Sequence, residues 1–394
     1  MVSKEERNSN KSINRRKHLY MNSRTRPFYF RRCKRPRATD LESLPDELLS
    51  SILVRLPADY LHHIARLVCR RWSHIIGSDA FVNNQIQHST YGLLFSCYTM
   101  EGSYHPIFVT LTRGGRVETS EFSYKCRSKT SCNGLVMREK SILFQPNTIY
   151  IANPATKQSF VPPLIEFNRA CGRFSGIAFA APSNKYKVTV PCLMSLEKLR
   201  LAILTFGVDD SWRNVGIEHL PTRCCDIALY GTPLITEGFM HWTNDEDSVV
   251  TLNVETEKLT MSEVPLFFKS PKQLLYLSTG RFLSALVGNG DLSWEVWGMK
   301  SETGEWKKVL LPDIVLGGQK RKLQQLDSGG GKGKLVPIGW VNYPKVLTLV
   351  YYYCRSCTCL FYNLDTHEIS SIPLPYPSQL LKAFVHKNTL LHLT

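Results

Sequence analysis

Three cysteines near the C-terminus, Cys354, Cys357 and Cys359, are the residues whose type and spacing come closest to a metal site. Structural zinc sites use four ligands, and a second Cys or His pair normally completes the set. Here one Cys-x-x-Cys spacing stands alone, and it follows three tyrosines, residues 351–353, in a run typical of a β-strand. We therefore expect buried strand thiols, and the sequence predicts no metal and no cofactor.

Catalytic patterns are also missing from the sequence. It contains no His-Glu-x-x-His, no Gly-x-Ser-x-Gly and no dinucleotide fingerprint after a strand, and its eleven histidines are scattered. A glycine-rich basic stretch at 316–334 lacks the spacing of a phosphate-binding loop, so it is predicted to be a mobile surface loop. These observations favour a protein that binds rather than catalyses.

The net charge of +16 is concentrated at the N-terminus. Residues 1–37 hold thirteen Lys and Arg against two acids, which leaves the other 357 residues only mildly basic. Because this segment has few large apolar residues, we expect a disordered basic tail over residues 1–39.

Two basic clusters in the tail are spaced like a bipartite nuclear import signal. The alternative is a solvated polybasic arm without that role. We expect the protein in the nucleus and/or the cytoplasm. The candidate import residues are Arg15, Arg16, Lys17, Arg31, Arg32, Lys34, Arg35 and Arg37.

Length and apolar content set the remaining limits. A chain of 394 residues exceeds what one hydrophobic core usually organises, so two or more units, or one repeat-built unit, are expected. No apolar stretch reaches the roughly 18 residues that a membrane-spanning helix needs, and no signal-peptide core is evident. We expect a soluble intracellular protein whose twelve cysteines are reduced.

Helical patterns follow the tail. Pro45 and the acids at 46 and 47 mark a helix start, Pro57 ends that helix, and Asp59 is the candidate cap of a second short helix. A third apolar stripe runs from Val68 to Ile76. Three helices in about 40 residues cannot enclose their own apolar surface, so it must meet either a partner or the rest of the chain.

These residues resemble the F-box, whose pattern is Leu-Pro, Leu-x-x-Ile-Leu, Leu-Pro, a middle helix, Val-Cys-x-x-Trp and a closing Phe. The matching positions are Leu44-Pro45, 48–53, Leu56-Pro57, 68–72 and Phe81, which identifies residues 40–86 as the F-box. The resemblance implies docking on a Skp-type adaptor and, through it, indirect association with a cullin. Carried over by position, the contact candidates are Leu44, Pro45, Leu48, Ile52, Leu53, Leu56, Pro57 and Trp72. Some of them must instead hold the helices together.

From about residue 90 the pattern changes to short β-strands, and a repeat emerges. Segments 151–162, 251–265 and 361–373 share an apolar run, an Asn/Asp/Thr turn and a closing proline, and 204–221 and 296–312 are looser copies. A hairpin with its turn at Gly114-Gly115 is a candidate divergent copy. A period near 50 with several strands per repeat predicts a β-propeller, in a chain with a small all-α segment first. The alternative is a β-sandwich or two small β-domains.

Residues 90–392 also resemble the plant F-box-associated domain, a kelch-like propeller region that recruits substrates in that family. The ordered landmarks are 131–136, 152–156, 185–188, 211–213 and 238–242. The combined resemblance implies a substrate-recruiting subunit of a Skp/cullin/F-box (SCF) ubiquitin ligase that binds an unknown protein target. We expect no association with a membrane and do not expect nucleic acid as a partner. The alternative is a nuclear regulatory or nucleic-acid-associated F-box protein that acts without a cullin.

Overall fold

A computed structural model provides the structure of the chain. It describes residues 43–98, 103–111, 116–122, 127–140, 148–165, 169–170, 175–193, 199–216, 220, 231–243, 248–269, 273–290, 293–309, 314–316, 334–353, 356–374 and 382–393. The predicted disordered tail, its import candidates from Arg15 to Arg37 and the glycine-rich loop at 317–333 lie outside these residues. From Asp46 onward the described chain belongs to one compact unit, while Ser43 to Pro45 belong to a separate one.

The first described elements are four α-helices with a short 3-10 helix between the second and third. Their bounds are α1 Asp46–Leu53, α2 Ala58–His63, the 3-10 helix Ala65–Leu67, α3 Arg70–Gly77 and α4 Asp79–His88. The sequence indicated three helices. The fourth begins because the Ser78 hydroxyl accepts a hydrogen bond from the N–H of Phe81 at 3.3 Å, which caps a new helix directly after α3.

The predicted cap of the second helix is wrong. The residue in the cap position of α2 is Pro57, which makes no side-chain cap, and Asp59 lies inside the first turn. There its carboxylate still faces the positive end of the helix dipole. In α3 the cap is Cys69, whose Sγ accepts from the N–H of Trp72 at 3.5 Å.

Apart from one 3-10 helix at Leu266–Lys269, the remaining described elements are β-strands, grouped in six antiparallel sheets, which we number as blades 1 to 6. Blade 1 begins with β1 Gly92–Tyr98, β2 Tyr104–Leu111 and β3 Val117–Glu121, and blade 2 consists of β4 Arg127–Cys132, β5 Leu135–Lys140, β6 Thr148–Asn153 and β7 Gln158–Phe160. Blade 3 consists of β8 Arg169–Ala170, β9 Gly176–Ala180, β10 Lys185–Leu193, β11 Leu199–Thr205 and β12 Arg213–Val215, and blade 4 of β13 Leu234–Thr236, β14 Phe239–Thr243, β15 Ser248–Asn253 and β16 Lys258–Glu263. Blade 5 consists of β17 Gln273–Ser278, β18 Leu283–Gly290, β19 Ser293–Lys300, β20 Glu305–Lys308 and β21 Ile314–Val315, blade 6 of β22 Lys334–Val341, β23 Val346–Tyr353, β24 Ser356–Asn363 and β25 Ile369–Pro373, and the last strand is β26 Lys382–His386.

The six sheets form a closed ring. Their innermost strands contact one another in the order β26, β4, β9, β13, β17, β22 and back to β26. The last strand, β26, pairs antiparallel with β1, so the C-terminal end of the chain completes blade 1. The molecule is therefore a six-bladed β-propeller preceded by helices, and the sandwich alternative is excluded because no two sheets stack as a single pair of layers.

The predicted repeat corresponds to the outer hairpins of blades 2 to 6. In three copies the side chain of Asn153, Asn253 or Asn363 accepts a hydrogen bond from the N–H two residues later, at 2.9 to 3.0 Å. Four residues after each Asn, the backbone takes a left-handed conformation, with φ between 56° and 60° at residues 157, 257 and 367. The sequence repeat thus encodes one turn, used again in successive blades.

The helices and the propeller share a continuous core. Leu49, Leu61 and Phe81 of the helical segment are buried in one cluster with Ala155 of blade 2 and Leu390 beyond β26. Because Ala155 lies in the turn of the first repeat copy, the helices rest on the propeller near blade 2. Part of the apolar surface that the helices cannot enclose is covered in this way.

Candidate functional site

Five large aliphatic side chains of the helical segment are left in solvent. The exposed fractions are 53% for Leu48, 48% for Ile52, 50% for Ile64, 72% for Leu67 and 60% for Val68. Leu48 and Ile52 are four residues apart on one side of α1, and the other three lie in the connection between α2 and α3. Exposed apolar side chains concentrated in so short a segment are typical of a surface that binds another protein.

Helix α1 carries a second apolar stripe that points the other way. Leu49 and Leu53 are 0% and 1% exposed and belong to the helical core. Leu53 therefore holds the helices together and is removed from the contact candidates, because reaching it would require opening that core. The sequence pattern groups Leu48, Ile52 and Leu53 as contact candidates without separating the two roles.

The other candidates divide between the core and the surface. Leu56 and Trp72 are partly buried against the helical core, and Pro57 is exposed at the start of α2. In the separate unit that ends at residue 45, Leu44 is half-buried and Pro45 is exposed. The structure adds Ile64, Leu67 and Val68 to the exposed apolar residues. Of these, only Val68 follows from the sequence pattern, as the start of the third apolar stripe.

Polar contacts fix the helices that carry this surface. The Arg71 guanidinium, on α3, donates from Nε to Asp46 Oδ1 of α1 at 2.7 Å. Nearby, the Arg66 guanidinium lies 3.2 Å from His62 Nδ1, and burial followed by the Arg66 charge lowers the pKa of His62 to about 4. His62 is therefore neutral at physiological pH, and its Nδ1 accepts from Arg66.

A cavity of about 550 Å³ opens at one end of the central channel of the propeller. It lies where the inner strands finish, since the last residues of four of them line it: Cys132, Ala180, Thr236 and His386. Gln87 of α4 lines it as well, so this mouth of the channel is on the same side as the helical segment. Concave sites of this size with apolar walls and a few polar groups are typical ligand-binding sites.

A buried polar chain joins the inner strands of blades 1 and 2 beside the cavity. Ser131 Oγ lies 2.7 Å from His386 Nδ1, and His386 Nε2 lies 3.0 Å from Asn388 Oδ1. The Asn388 oxygen only accepts, so Nε2 carries the proton and Nδ1 accepts from the Ser131 hydroxyl. The His386 ring also packs edge-on against Phe108 and Phe122. This arrangement holds the closing strand to blade 2, and no local sequence pattern indicates it.

Two of the three cysteines with near-metal-site spacing lie inside blade 6. Cys357 and Cys359 of β24 are 4% and 0% exposed and pack in an apolar cluster, which confirms the prediction of buried strand thiols. Cys354 lies outside the described residues. Within the described part of the chain, no three His, Cys, Asp or Glu side chains gather as a metal site, and none of its helices is long and apolar enough to cross a membrane.

Comparison with known proteins identifies the helical segment. The F-box domain family matches residues 41–84. The Arabidopsis thaliana F-box protein At3g28280 is 21% identical over 283 residues, which cover 61% of this chain and 84% of that protein. The F-box protein At4g17780 of the same plant is 22% identical over 373 residues, covering 85% of this chain and 88% of its own length.

Among solved structures, TolB from Acinetobacter baumannii aligns over 80% of this chain and 72% of its own, with a TM-score of 0.41 and 8% identity. A similarity this low carries no argument about the fold, and the six-bladed propeller is instead identified from the topology of its sheets. The chain therefore has an F-box domain at residues 41–84, followed by a six-bladed β-propeller, and its relatives are F-box proteins of Arabidopsis thaliana.

Proposed function

We propose that the chain is a non-catalytic, substrate-recruiting subunit of an SCF ubiquitin ligase. In this proposal the F-box docks on a Skp-type adaptor that bridges it to a cullin, and the propeller binds the protein that is to be ubiquitinated. The observation that carries the proposal is the group of exposed apolar side chains on the F-box, from Leu48 to Val68, beside a core that buries the rest of the apolar face.

The energetics support a stable complex. Full burial of one Leu or Ile side chain contributes roughly 1.5 to 3 kcal/mol, so a few such residues at the centre of an interface suffice. The proposed adaptor contacts are Leu44, Pro45, Leu48, Ile52, Pro57, Ile64, Leu67 and Val68, with Leu56 and Trp72 at the edge of the core. Leu53 is left to support the fold.

The junction between F-box and propeller supports the same role. A recruiting subunit acts by holding its target near the ubiquitin-charged enzyme, which raises the effective concentration of the target only if the geometry is constrained. Here α4 and the residues after β26 are joined by the shared core and by hydrogen bonds, among them Ser89 Oγ to the Asn388 carbonyl at 3.0 Å. The chain needs no catalytic groups of its own for this function. The kelch-like character of the blades stays a prediction.

The test is affinity capture from plant cells with the full-length chain. Leu48→Asp combined with Ile52→Asp places charge on the exposed stripe of α1 without touching the buried one. The matched control is Leu266→Asp, because Leu266 is 79% exposed on the propeller side of the chain. We expect the double variant to lose adaptor and cullin together and the control to keep both.

Adaptor retained by the double variant would contradict the proposal. Adaptor recovered without any cullin would favour the alternative of an F-box protein that acts outside a ligase.

We also propose that the protein resides in the nucleus and/or the cytoplasm, with import through Arg15–Lys17 and Arg31–Arg37. Deletion of residues 1–37 tests this proposal, since the shortened protein should no longer enter the nucleus by this route. The same deletion tests the nucleic-acid alternative, which expects the full-length protein to be retained on DNA or RNA in a salt-dependent way that the deletion removes.

A further inference from the structure

Basic residues surround part of the other mouth of the central channel, which faces away from the helices. The inner strands begin at this mouth, because they finish on the helical side. Three neighbours in the ring, β22, β26 and β4, begin with Lys334, Lys382 and Arg127, and the other three inner strands begin with uncharged residues. Three basic residues therefore follow one another along one side of this mouth.

A small pocket opens between blades 1 and 2 at the same end. It is lined by Ser96, Tyr104, Arg127, Ser128 and Lys382. The side chains of these residues offer a guanidinium, an ammonium and hydroxyl groups, and among the described residues that line the pocket there is no carboxylate. The Ser96 hydroxyl accepts a hydrogen bond of 3.4 Å from the backbone N–H of Ser128 and can still donate its own hydrogen. The pocket is thus rich in donors.

The cross-strand neighbour of Arg127 is a carboxylate that is already paired. Glu139 faces Arg127 in the register of β4 and β5, and its side chain forms a buried ion pair with Lys129. Burial lowers the pKa of Lys129 to about 8 against the effect of Glu139, and the charges of Arg127 and Lys382 lower it further. All three cations are therefore close enough to interact. Three positive charges and one negative charge leave a net charge of +2 among these four residues.

The segments that join the strands of the pocket do not change this balance. Residues 99–102, 123–126 and 375–381 contain one acid, Glu101, and one base, Lys125. At the mouth itself, Lys382 Nζ donates to Thr232 Oγ1 at 2.8 Å. This contact fixes the position of the ammonium, but a hydroxyl does not neutralise its charge.

A phosphoryl group matches the pocket better than a carboxylate does. A phosphate monoester carries a charge of about −1.5 to −2 at neutral pH and has three strong acceptor oxygens, whereas a carboxylate has one charge and two oxygens. Arginine and lysine form strong charge-assisted hydrogen bonds with phosphate oxygens. The pocket has a volume of about 10 Å³, so it admits about one oxygen atom and leaves the rest of the ligand at the surface.

We propose that this pocket binds a phosphoryl group, and that the group belongs to a phosphorylated side chain of the recruited protein. Because the pocket faces away from the F-box, a target can reach it while the adaptor is bound. The assignment rests on the proposed function, since it names the chemistry by which the propeller recognises its target.

The experiment measures binding of three small probes to the full-length chain by ligand-observed NMR. The probes are N-acetyl-phosphoserine amide, N-acetyl-serine amide and N-acetyl-glutamate amide. We expect the wild type to bind the phosphorylated probe at least about tenfold more tightly than either of the others. Equal binding of the three probes, or no binding of the phosphorylated one, would overturn the proposal without reference to any variant.

Two variants locate the binding site. Arg127→Gln and Lys382→Met should each weaken binding of the phosphorylated probe by at least about tenfold. The matched control is Arg200→Gln, at an exposed arginine of β11 in blade 3, which should bind the probe as the wild type does. Normal binding by both Arg127→Gln and Lys382→Met would place the phosphoryl group elsewhere and overturn the proposal.

Selection from a library of phosphoserine peptides tests the source of the phosphoryl group. Enrichment of particular residues beside the phosphoserine, lost in Arg127→Gln, supports a protein target. Inorganic phosphate that binds as tightly as the best peptide would overturn that assignment in favour of a free anion. Adaptor capture by Arg127→Gln should equal that of the wild type, so failure here is separable from failure of the F-box to dock.

Discussion

Gln85, on the last helix of the F-box, accepts through Oε1 a hydrogen bond of 3.2 Å from the backbone N–H of Leu390, four residues beyond the strand that closes the propeller. The Gln85 amide nitrogen also donates to Ser89 Oγ at 2.8 Å. Gln85 is 2% exposed and Leu390 is 1% exposed, so neither group has water as an alternative partner. The Gln85 side chain thus couples the helical segment to the ring closure of the propeller.

Gln85→Leu should therefore destabilise the chain. The substitution keeps the approximate size of the side chain but leaves the buried N–H of Leu390 without an acceptor, which costs roughly 1 to 3 kcal/mol. Urea denaturation measures the free energy of unfolding. Gln87→Leu is the matched control, because Gln87 is exposed on the same helix, and it should change stability by less than about 0.5 kcal/mol. Equal effects of the two substitutions would contradict this coupling.

The two stripes of α1 should separate stability from docking. Leu53→Ala removes a fully buried side chain and should cost roughly 2 to 5 kcal/mol in the free energy of unfolding. Leu48→Ala should leave stability within about 0.5 kcal/mol of wild type, since its side chain is half in solvent. It should weaken adaptor binding, measured by surface plasmon resonance, by at least about tenfold. A Leu48→Ala variant that binds the adaptor normally would move the interface elsewhere on the F-box.

The three repeat asparagines should differ in importance despite identical turns. Asn153 donates from Nδ2 to the carbonyls of Thr389 and Leu391 at 2.9 and 2.8 Å, besides capping its own turn. Asn153→Ala should cost roughly 2 to 4 kcal/mol, because it leaves these carbonyls without their donor. Asn253→Ala and Asn363→Ala remove only the turn bonds and should cost about 1 kcal/mol each. Thermal and urea unfolding give the ranking, and three equal losses would refute it.

Acid should destabilise the propeller partly through His386. Burial lowers the pKa of His386 to about 4, while in the unfolded chain it titrates near its ordinary 6.5. As the pH falls, His386 therefore binds a proton in the unfolded state before it does so in the folded state. The free energy of unfolding that is present above pH 6.5 should fall between pH 6.5 and 4 by an amount on the order of 3 kcal/mol. The free energy of unfolding plotted against pH should have a shallower slope in His386→Gln. His74→Gln, at an exposed position of α3, should keep the wild-type slope.

Blades 3 and 4 should depend on the carboxylate of Glu257. Arg213 donates two hydrogen bonds of 2.8 Å to it, and these, with Lys187, lower the pKa of Glu257 to about 2. The resulting stability is present above the ordinary pKa of 4.5 and is lost as the pH falls towards 2. Glu257→Gln should lower the free energy of unfolding by roughly 1 to 2 kcal/mol at neutral pH, because it leaves the buried Lys187 without its carboxylate. The loss should not be larger, since the ion pair with Arg213 is partly in solvent and contributes little. Glu305→Gln, at an exposed ion pair, should have almost no effect on unfolding.

Local sequence was sufficient for the features that depend on neighbouring residues. Prolines, acids and apolar spacing indicated α1, α2 and α3, and the Asn turns revealed the repeat, because side-chain capping and strand alternation act over a few positions. The fourth helix was missed because its signal is the single Ser78 cap. Blade number could not follow from the repeat, since blade 1 combines strands from the two ends of the propeller region.

By itself, the sequence determined that an F-box precedes a repeat-built β-domain, and it named most of the apolar residues of the proposed docking surface. Only the tertiary structure decided which of them are available. Leu48 and Leu53 are the same residue type on one helix, but Leu53 is buried in the helical core and Leu48 is exposed. The cavity at the mouth of the channel likewise depends entirely on the tertiary structure. Its walls come from five blades, and Lys387 and Phe239 meet there because the ring closes, which is a long-range event that no local pattern encodes.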